Sequence, residues 1–160
     1  MTKKVLVVGG AGYIGSHVCK ALKIAGFQVT VFDNFSTGNR GAVQFGDLIE
    51  GDLSDVDLLN KIFKENNYEG VLHFAGSIKV PESVENPEKY YLNNTKNSLN
   101  LMSACLKFNV KNFVFSSTAS VYGELETGEA VEEENKQPIN PYGRSKLATE
   151  WMLEDFSKAY

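Results

Sequence analysis

Short apolar runs alternate along this chain with longer segments of helical period. Lys3-Lys4-Val5-Leu6-Val7-Val8 is a β-rich run that ends in Gly9-Gly10-Ala11-Gly12, and Tyr13 to Ala25 then takes a helical period until Gly26 stops it. Gln28-Val29-Thr30-Val31-Phe32 reads as a second strand closed by Asp33-Asn34, and Ser36 to Gly46 has the glycine and polar content of a loop. Leu48-Ile49-Glu50 is a shorter strand, after which Ser54 or Asp55 can cap a helix that runs to Glu65. Gly70 to Phe74 makes a fourth strand leading into Ala75-Gly76, and Phe113-Val114-Phe115 a fifth. Between them Asn86-Pro87 is an N-cap and N1 pair that predicts one long helix to about Phe108. The end of the chain, Leu147 to Tyr160, again has helical character.

Strands separated by helical segments of this length require crossover connections, which place the strands parallel in an α/β sheet with helices on both faces. The continuous rather than alternating apolar character of the strands agrees with a sheet covered on both sides. Composition adds limits. The 160 residues carry 16 Lys+Arg against 20 Asp+Glu, a net charge of −4, and no basic block, which argues against nucleic acid or an anionic membrane surface as the partner. No apolar run approaches the roughly 20 residues of a membrane-spanning helix, and no secretory signal opens the chain, so a cytoplasmic protein is expected. Cys19 and Cys105 lie far apart without CxxC spacing, which fits two buried free thiols and no metal site. Glu124 to Glu134 contains six glutamates and no Lys or Arg, the composition of a solvated loop.

The chemistry concentrates in two places. Gly9, Gly12 and Gly15 have GxxGxxG spacing between the first strand and the first helix, where a pyrophosphate can rest on backbone N–H groups only if no Cβ blocks its approach. Gly9 serves the tight turn, Gly12 the close approach and Gly15 the packing of helix on strand. Asp33, 18 residues after Gly15 and at the end of the second strand, can accept the hydroxyls of an adenosine ribose and would repel a 2′-phosphate, which favours NAD over NADP. Asp52, in Gly51-Asp52-Leu53, suits an adenine amino group or a helix cap equally well. Enzymes of S-adenosylmethionine also use a glycine loop and a later acid, so these features alone define an adenine nucleotide.

The second place is Asn140-Pro141-Tyr142-Gly143-Arg144-Ser145-Lys146, where proline opens a helix and Tyr142 and Lys146 fall four residues apart on one side of it. A free phenol titrates near 10, and bringing it to neutrality takes on the order of 4 kcal/mol of preferential phenolate stabilisation, much of which a lysine cation one turn away can supply. Thr118, in Ser116-Ser117-Thr118 after the fifth strand, stands beyond the carboxyl end of a parallel strand, where ligands of such sheets bind. Its hydroxyl can bond a substrate oxygen whose proton Tyr142 removes. Ser116 and Ser117 are expected to cap their own backbone. His17 is expected to pack behind the glycine turn and His73 to be satisfied by backbone.

With these motifs in order from Lys4 to about Lys158, the chain resembles the extended short-chain dehydrogenase/reductase family, and within it the nucleotide-sugar epimerases. Val7-Val8-Gly9-Gly10-Ala11-Gly12-Tyr13-Ile14-Gly15, Gly51-Asp52, His73-Phe74-Ala75-Gly76, Tyr90-Tyr91-Leu92-Asn93-Asn94 and Tyr142-Gly143-Arg144-Ser145-Lys146 carry the resemblance. It implies a Rossmann-like doubly wound fold over residues 1–160, NAD as cofactor, and 4-epimerisation of a UDP-hexose through a transient 4-keto sugar. It implies Tyr13 and Ile14 at the pyrophosphate; Asp33, Asn34, Phe35, Ser36, Thr37 and Gly38 along the ribose; and Asp52 and Leu53 at adenine. Phe74, Ala75, Gly76, Ser77, Ile78 and Asn93 would line the rest of the cofactor, and Thr118, Tyr142 and Lys146 would be catalytic. Tyr142 would act as acid and base, and Lys146 would hold the nicotinamide ribose.

Two positions depart from the family pattern. Val8 stands where a threonine is common, and Ile78 where some epimerases have lysine. Ala119 and Ser120 replace the Asp-Glu pair that dehydratases of the family carry after their active-site threonine, which favours epimerisation over loss of water. Leu92, Thr95, Leu99, Met102 and Leu106 recur at 3-4-3-4 spacing, read first as a core stripe. In resembling enzymes the 87–108 and 142–159 helices also form a homodimer interface, and a homodimer is expected here. The resemblance further implies a substrate-binding portion after residue 160. Two alternatives stay open: a non-catalytic NAD-binding fragment, and an epimerase for a UDP-N-acetylhexosamine or UDP-pentose.

Overall fold

The computed structural model describes residues 2–125 and 128–160, which group into two compact units: Met1–Ala75 with Asn100–Ser116, and Gly76–Leu99 with Ser117–Tyr160. In chain order the first elements are β1 (Lys4–Val8), α1 (Tyr13–Ile24), β2 (Gln28–Asp33), β3 (Asp47–Glu50), α2 (Val56–Glu65) and β4 (Tyr68–His73). Then come α3 (Val80–Glu85), α4 (Pro87–Tyr90), a π-helical segment (Tyr91–Lys96), α5 (Asn97–Lys107), β5 (Asn112–Phe115) and α6 (Pro141–Ala159).

The first unit contains a five-stranded parallel sheet of order β3-β2-β1-β4-β5, with β1 at its centre. Alternate side chains of β1 enter opposite layers. Val5 and Val7 pack with Cys19 of α1 and with Val29 and Val31, whereas Leu6 and Val8 pack with Leu59, Ile62 and Phe63 of α2 and Leu101 and Cys105 of α5. A strand buried on both sides needs apolar residues at every position, which is why β1 is an unbroken run. Asp55 accepts from Leu58 N at 2.9 Å and so caps α2, whose Leu59, Ile62 and Phe63 face the sheet at helical spacing. Burial of each such side chain contributes about 1.5–3 kcal/mol. Cys19 and Cys105 are buried and unbridged, and burial lifts their thiols to about 11 and about 12.

Crowding shapes the turn after β1. Gly9 has φ +79°, and a Cβ there would lie 2.5 Å from Ala75 N. At Gly15 a Cβ would stand 2.2 Å from Gly9 O, so the first turn of α1 rests directly on the turn that launches it. The loop after β2 contains a 3-10 turn at Arg40–Ala42, which its polar composition did not disclose.

In the second unit, α6 packs on the π-helical segment, α3 and α4. Gly143, Ser145, Lys146, Leu147 and Thr149 are its buried positions, mostly small side chains that permit close approach. The expected single helix from Pro87 to Phe108 is instead one turn of α-helix, the π-helical segment, and α5 ending at Lys107. The wider π turn shifts the helical phase of the residues after it. Buried positions include Asn94, Asn97, Ser98, Leu101, Ala104 and Cys105, while Leu92, Leu99 and Leu106 of the expected core stripe are 48%, 38% and 42% exposed. Within that stripe Met102 is buried and Thr95 partly so. Asn94 and Ser98 tolerate the interior because their polar atoms are hydrogen-bonded there. The described residues of the acidic segment 124–134 are largely exposed, as expected of a solvated loop, and Glu126 lies outside the described residues. No described helix is long and apolar enough to cross a membrane.

The contact at Gly15 predicts that Gly15→Ala, by forcing a methyl group against the Gly9 carbonyl, destabilises the chain by about 3 kcal/mol. A urea denaturation midpoint equal to that of the unsubstituted chain would contradict it.

Candidate functional site

In the first unit the carboxylate of Asp33 braces the glycine turn. Ala11 N donates to its Oδ2 and Phe35 N to its Oδ1, both at 2.9 Å. Each oxygen keeps a second lone pair, so ribose hydroxyls can still be accepted. Phe35 takes φ +56° beneath this bond, with Arg40 stacked on its ring at 4.1 Å. Asn34 Nδ2 donates to Asp52 Oδ2 at 2.5 Å, and Ser54 donates through N and Oγ to Asp52 Oδ1. Burial opposes the charge on Asp52, but these hydrogen bonds outweigh it and lower its pKa. Asp52 therefore organises its own turn, and Asp55 rather than Asp52 is the cap of α2.

The entrance to α1 suits an anion. Gly12 caps the helix without a side-chain hydrogen bond, and no acidic residue occupies the first turn. The helix therefore keeps unpaired N–H donors at its positive end. Gly10 lies outside the GxxGxxG spacing, yet a Cβ there would meet Val31 Cγ1 at 2.8 Å, so the turn is glycine-rich for packing as well as for access. Tyr13 and Ile14 are exposed, Tyr13 by 82%. The side chain of Leu53 is buried in the core. His17, expected behind the turn, is exposed and lies edge-on to Tyr13 with ring centroids 5.0 Å apart. His73 is buried beside Phe113 and Phe115.

In the second unit Asn140 Oδ1 accepts from Gly143 N at 2.8 Å and caps α6, which fixes the start of the helix at Pro141. Tyr142 and Lys146 then lie four residues apart on it. A Cβ on Gly143 would lie 2.6 Å from Ser120 O, so glycine lets α6 begin against the loop that carries Thr118. Thr118 Oγ1 accepts from Ser120 N at 3.2 Å and caps the 3-10 turn Ala119–Val121. That bond uses an acceptor lone pair and leaves the Thr118 hydroxyl hydrogen available to donate. Ser117, expected to cap its own backbone, donates instead to Glu150 Oε1.

Lys146 is only 4% exposed, and burial brings its ammonium down to about 8 while the negative charge of Glu150 works the other way. Its Nζ would stand 3.7 Å from a Cβ on Gly76. Beside it Asn94 joins three segments: its Oδ1 accepts from Ser77 N at 2.7 Å, and its Nδ2 donates to Ser77 O and to Ser145 Oγ. Asn93 Nδ2 donates to Ser77 Oγ at 3.0 Å. The sequence pattern pointed to Asn93 and passed over Asn94; the signal was a polar residue at a buried helical position. Tyr90 lies edge-on to Tyr142 with centroids 6.3 Å apart. Its hydroxyl is 2.6 Å from Lys79 O and 2.9 Å from Glu82 Oε2, and burial, then the Glu82 contact, pushes it up to about 12. Ile78 is largely exposed.

A parallel sheet of this strand order with a glycine turn after β1, and a Tyr-x-x-x-Lys helix with a threonine loop at its start, define a nucleotide-dependent class. The chain belongs to the NAD dependent epimerase/dehydratase family, which it matches over residues 5–160. It is 50% identical over 158 residues to the UDP-glucose 4-epimerase of Azospirillum brasilense, an alignment that covers 98% of this chain and 45% of that protein. The crystal structure of a UDP-glucose 4-epimerase from Brucella ovis in complex with NAD superposes with TM-score 0.96 at 45% identity, covering 99% of this chain and 49% of that one. A UDP-Glc/GlcNAc 4-epimerase from Campylobacter jejuni does so with TM-score 0.95 at 44% identity, covering 98% and 50%. The chain thus spans about half the length of the relatives it matches.

A lysine at 10.5 when unfolded and about 8 when folded binds fewer protons in the native state between those values, so its titration raises stability as pH climbs from 8 to 10.5. The displacement corresponds to about 3 kcal/mol against the charged form. Lys146→Met is expected to exceed the unsubstituted chain in stability at pH 7, by a margin that narrows by about 2 kcal/mol by pH 10. Denaturant melts of both proteins at the two pH values check this, and a constant margin would contradict it.

Proposed function

We propose that this chain is the NAD-binding and catalytic portion of a UDP-sugar 4-epimerase that interconverts UDP-glucose and UDP-galactose. The observation that carries the proposal is a buried Lys146 one helical turn from Tyr142, on a helix that begins against the Thr118 loop. Membership of an NAD dependent family and the identity with UDP-glucose 4-epimerases support it.

Gly9, Gly12, Gly15, Tyr13 and Ile14 would hold the pyrophosphate on the uncapped start of α1. The loop from Asp33 through Asn34, Phe35, Ser36, Thr37 and Gly38 would hold the adenosine ribose, and Asp52 with the backbone of Leu53 the adenine. Phe74, Ala75, Gly76, Ser77, Ile78 and Asn93 would line the remainder, and Lys146 would bond the nicotinamide ribose. When bound, NAD⁺ supplies an acceptor for the C4 hydride and, once reduced, returns it. Tyr142 takes the proton of the sugar 4-hydroxyl as the sugar C–O bond becomes a carbonyl, and gives it back when hydride returns to the opposite face. Thr118 donates to the same sugar oxygen. Lys146 lies one helical turn from Tyr142, and a lysine lowered to about 8 is still mostly cationic at pH 7. Ala119 and Ser120 provide no acid–base pair for elimination, which supports epimerisation over dehydration.

The exposed Leu92 and Leu99, together with Trp151 on α6 at 58% exposure, support a homodimer formed through the 87–108 and 142–159 helices. Two free buried cysteines support a cytoplasmic site of action.

In the intact protein, Tyr142→Phe is expected to lower kcat for UDP-glucose to UDP-galactose conversion by about 100-fold or more, with bound NAD retained. An unreduced rate would overturn the assignment of Tyr142, and a panel of UDP-sugars scored by product ratio tests the choice of hexose.

A further inference from the structure

Tyr142, Lys146 and Glu150 succeed one another at four-residue intervals on α6, so their side chains stack along one side of the helix. Both oxygens of the Glu150 carboxylate are engaged outside the helix. Ser117 Oγ donates to Oε1, and Lys136 Nζ donates to Oε2 at 2.6 Å. Ser117 immediately precedes Thr118, which continues in extended conformation into its 3-10 turn. Lys136 belongs to the segment that returns to α6. There Gln137 O stands 2.2 Å from the Cβ position of Gly123, Pro138 Cβ stands 2.9 Å from that of Gly143, and Arg144 Nε donates to Pro138 O. One carboxylate therefore joins the outgoing and the returning ends of the 117–140 segment to the helix that bears Tyr142.

Glu150 is shielded enough for these bonds to count: its side chain is 22% exposed and that of Lys136 38%. Charge-assisted bonds of this kind are shorter and stronger than neutral ones, and a serine hydroxyl has one hydrogen to place. The hydrogen of Ser117 goes to α6 and not to its own backbone, contrary to what its place in a polar loop suggests.

We propose that Glu150 is a positioning residue for the epimerisation assigned above, holding Thr118 through Ser117 and the returning segment through Lys136, so that the threonine hydroxyl keeps its place relative to Tyr142. This rests on the roles given to Thr118 and Tyr142. Glu150 itself touches neither sugar nor cofactor in this scheme. Its negative charge also sustains the protonated form of Lys146 against burial.

The test is a set of kinetic cycles in the intact protein with UDP-glucose. Glu150→Ala is expected to lower kcat by about 10- to 100-fold with KM within about twofold, because a displaced catalytic group costs rate rather than binding. In a Thr118→Ala background the same change is expected to cost less than about twofold, since the group it positions is gone. Ser117→Ala is expected to show the same dependence on Thr118, and Glu150→Gln, which keeps an acceptor for Ser117, to recover most of kcat. An unchanged kcat in Glu150→Ala overturns the proposal, as does an equal loss in both backgrounds or a rise in KM alone. Should Glu150→Ala fail to fold, as judged by circular dichroism, Ser117→Ala with and without Thr118→Ala decides by the same criteria. Absence of epimerisation by the unsubstituted protein, or full activity in Tyr142→Phe, marks failure of the assigned function instead.

Discussion

The geometry of the first unit depends on a contact that tolerates no side chain. Two strand ends, those of β1 and β4, bring the backbones of Gly9 and Ala75 together, and a methyl group at position 9 would lie 2.5 Å from Ala75 N. The left-handed conformation of Gly9 turns the chain at that point, and Gly15 then sits on the Gly9 carbonyl. The start of α1 is consequently set by backbone contacts at Gly9 and Gly15. Asp33 completes the arrangement from β2 by binding Ala11 N, so the residue expected to read a ribose also holds the turn in shape. A positive helix end supported in this way can receive a pyrophosphate without first being ordered by it.

The second unit achieves rigidity with polar atoms. Asn94 satisfies its whole amide internally, and Thr95 and Thr149 both donate to Ser145 O. A buried amide with every partner in place fixes one arrangement, because any slip would leave donors unpaired in a poorly hydrating interior. The π-helical segment is the backbone counterpart of this network. It widens the helix where Asn93 and Asn94 leave it, and the two neighbouring asparagines reach different atoms of Ser77.

Most of the first unit was legible in the sequence, since strands buried on both sides and helices with one apolar side leave strong periodic signals. Gly9, Gly12, Gly15 and Asp33 fell where the spacing put them, and Asp55 proved to be one of two capping residues foreseen for α2. What escaped was set by tertiary contacts. The π turn has no local signature, and the buried side of these helices runs through Asn94, Ser98, Leu101 and Cys105 rather than through Leu92, Leu99 and Leu106. Asn94 and Ser117 looked like ordinary polar residues because their partners, at Ser145 and Glu150, lie 51 and 33 residues away. Asp52 and Leu53 are successive residues whose side chains diverge, the leucine entering the core and the aspartate facing its own turn. Short α3 was also missed, with Pro81 in its first turn the only mark of its start.

The buried lysine has a consequence for solution behaviour. Burial brings the Lys146 ammonium down to about 8, so part of its charge is given up in mildly alkaline solution. A ligand that offers hydroxyl or carboxylate oxygens to this amine favours the charged form, so complex formation draws hydrogen ions from the buffer. The heat of association measured near that pH will then include the ionisation heat of the buffer, and affinity will depend on acidity even for a ligand that has no titrating group of its own.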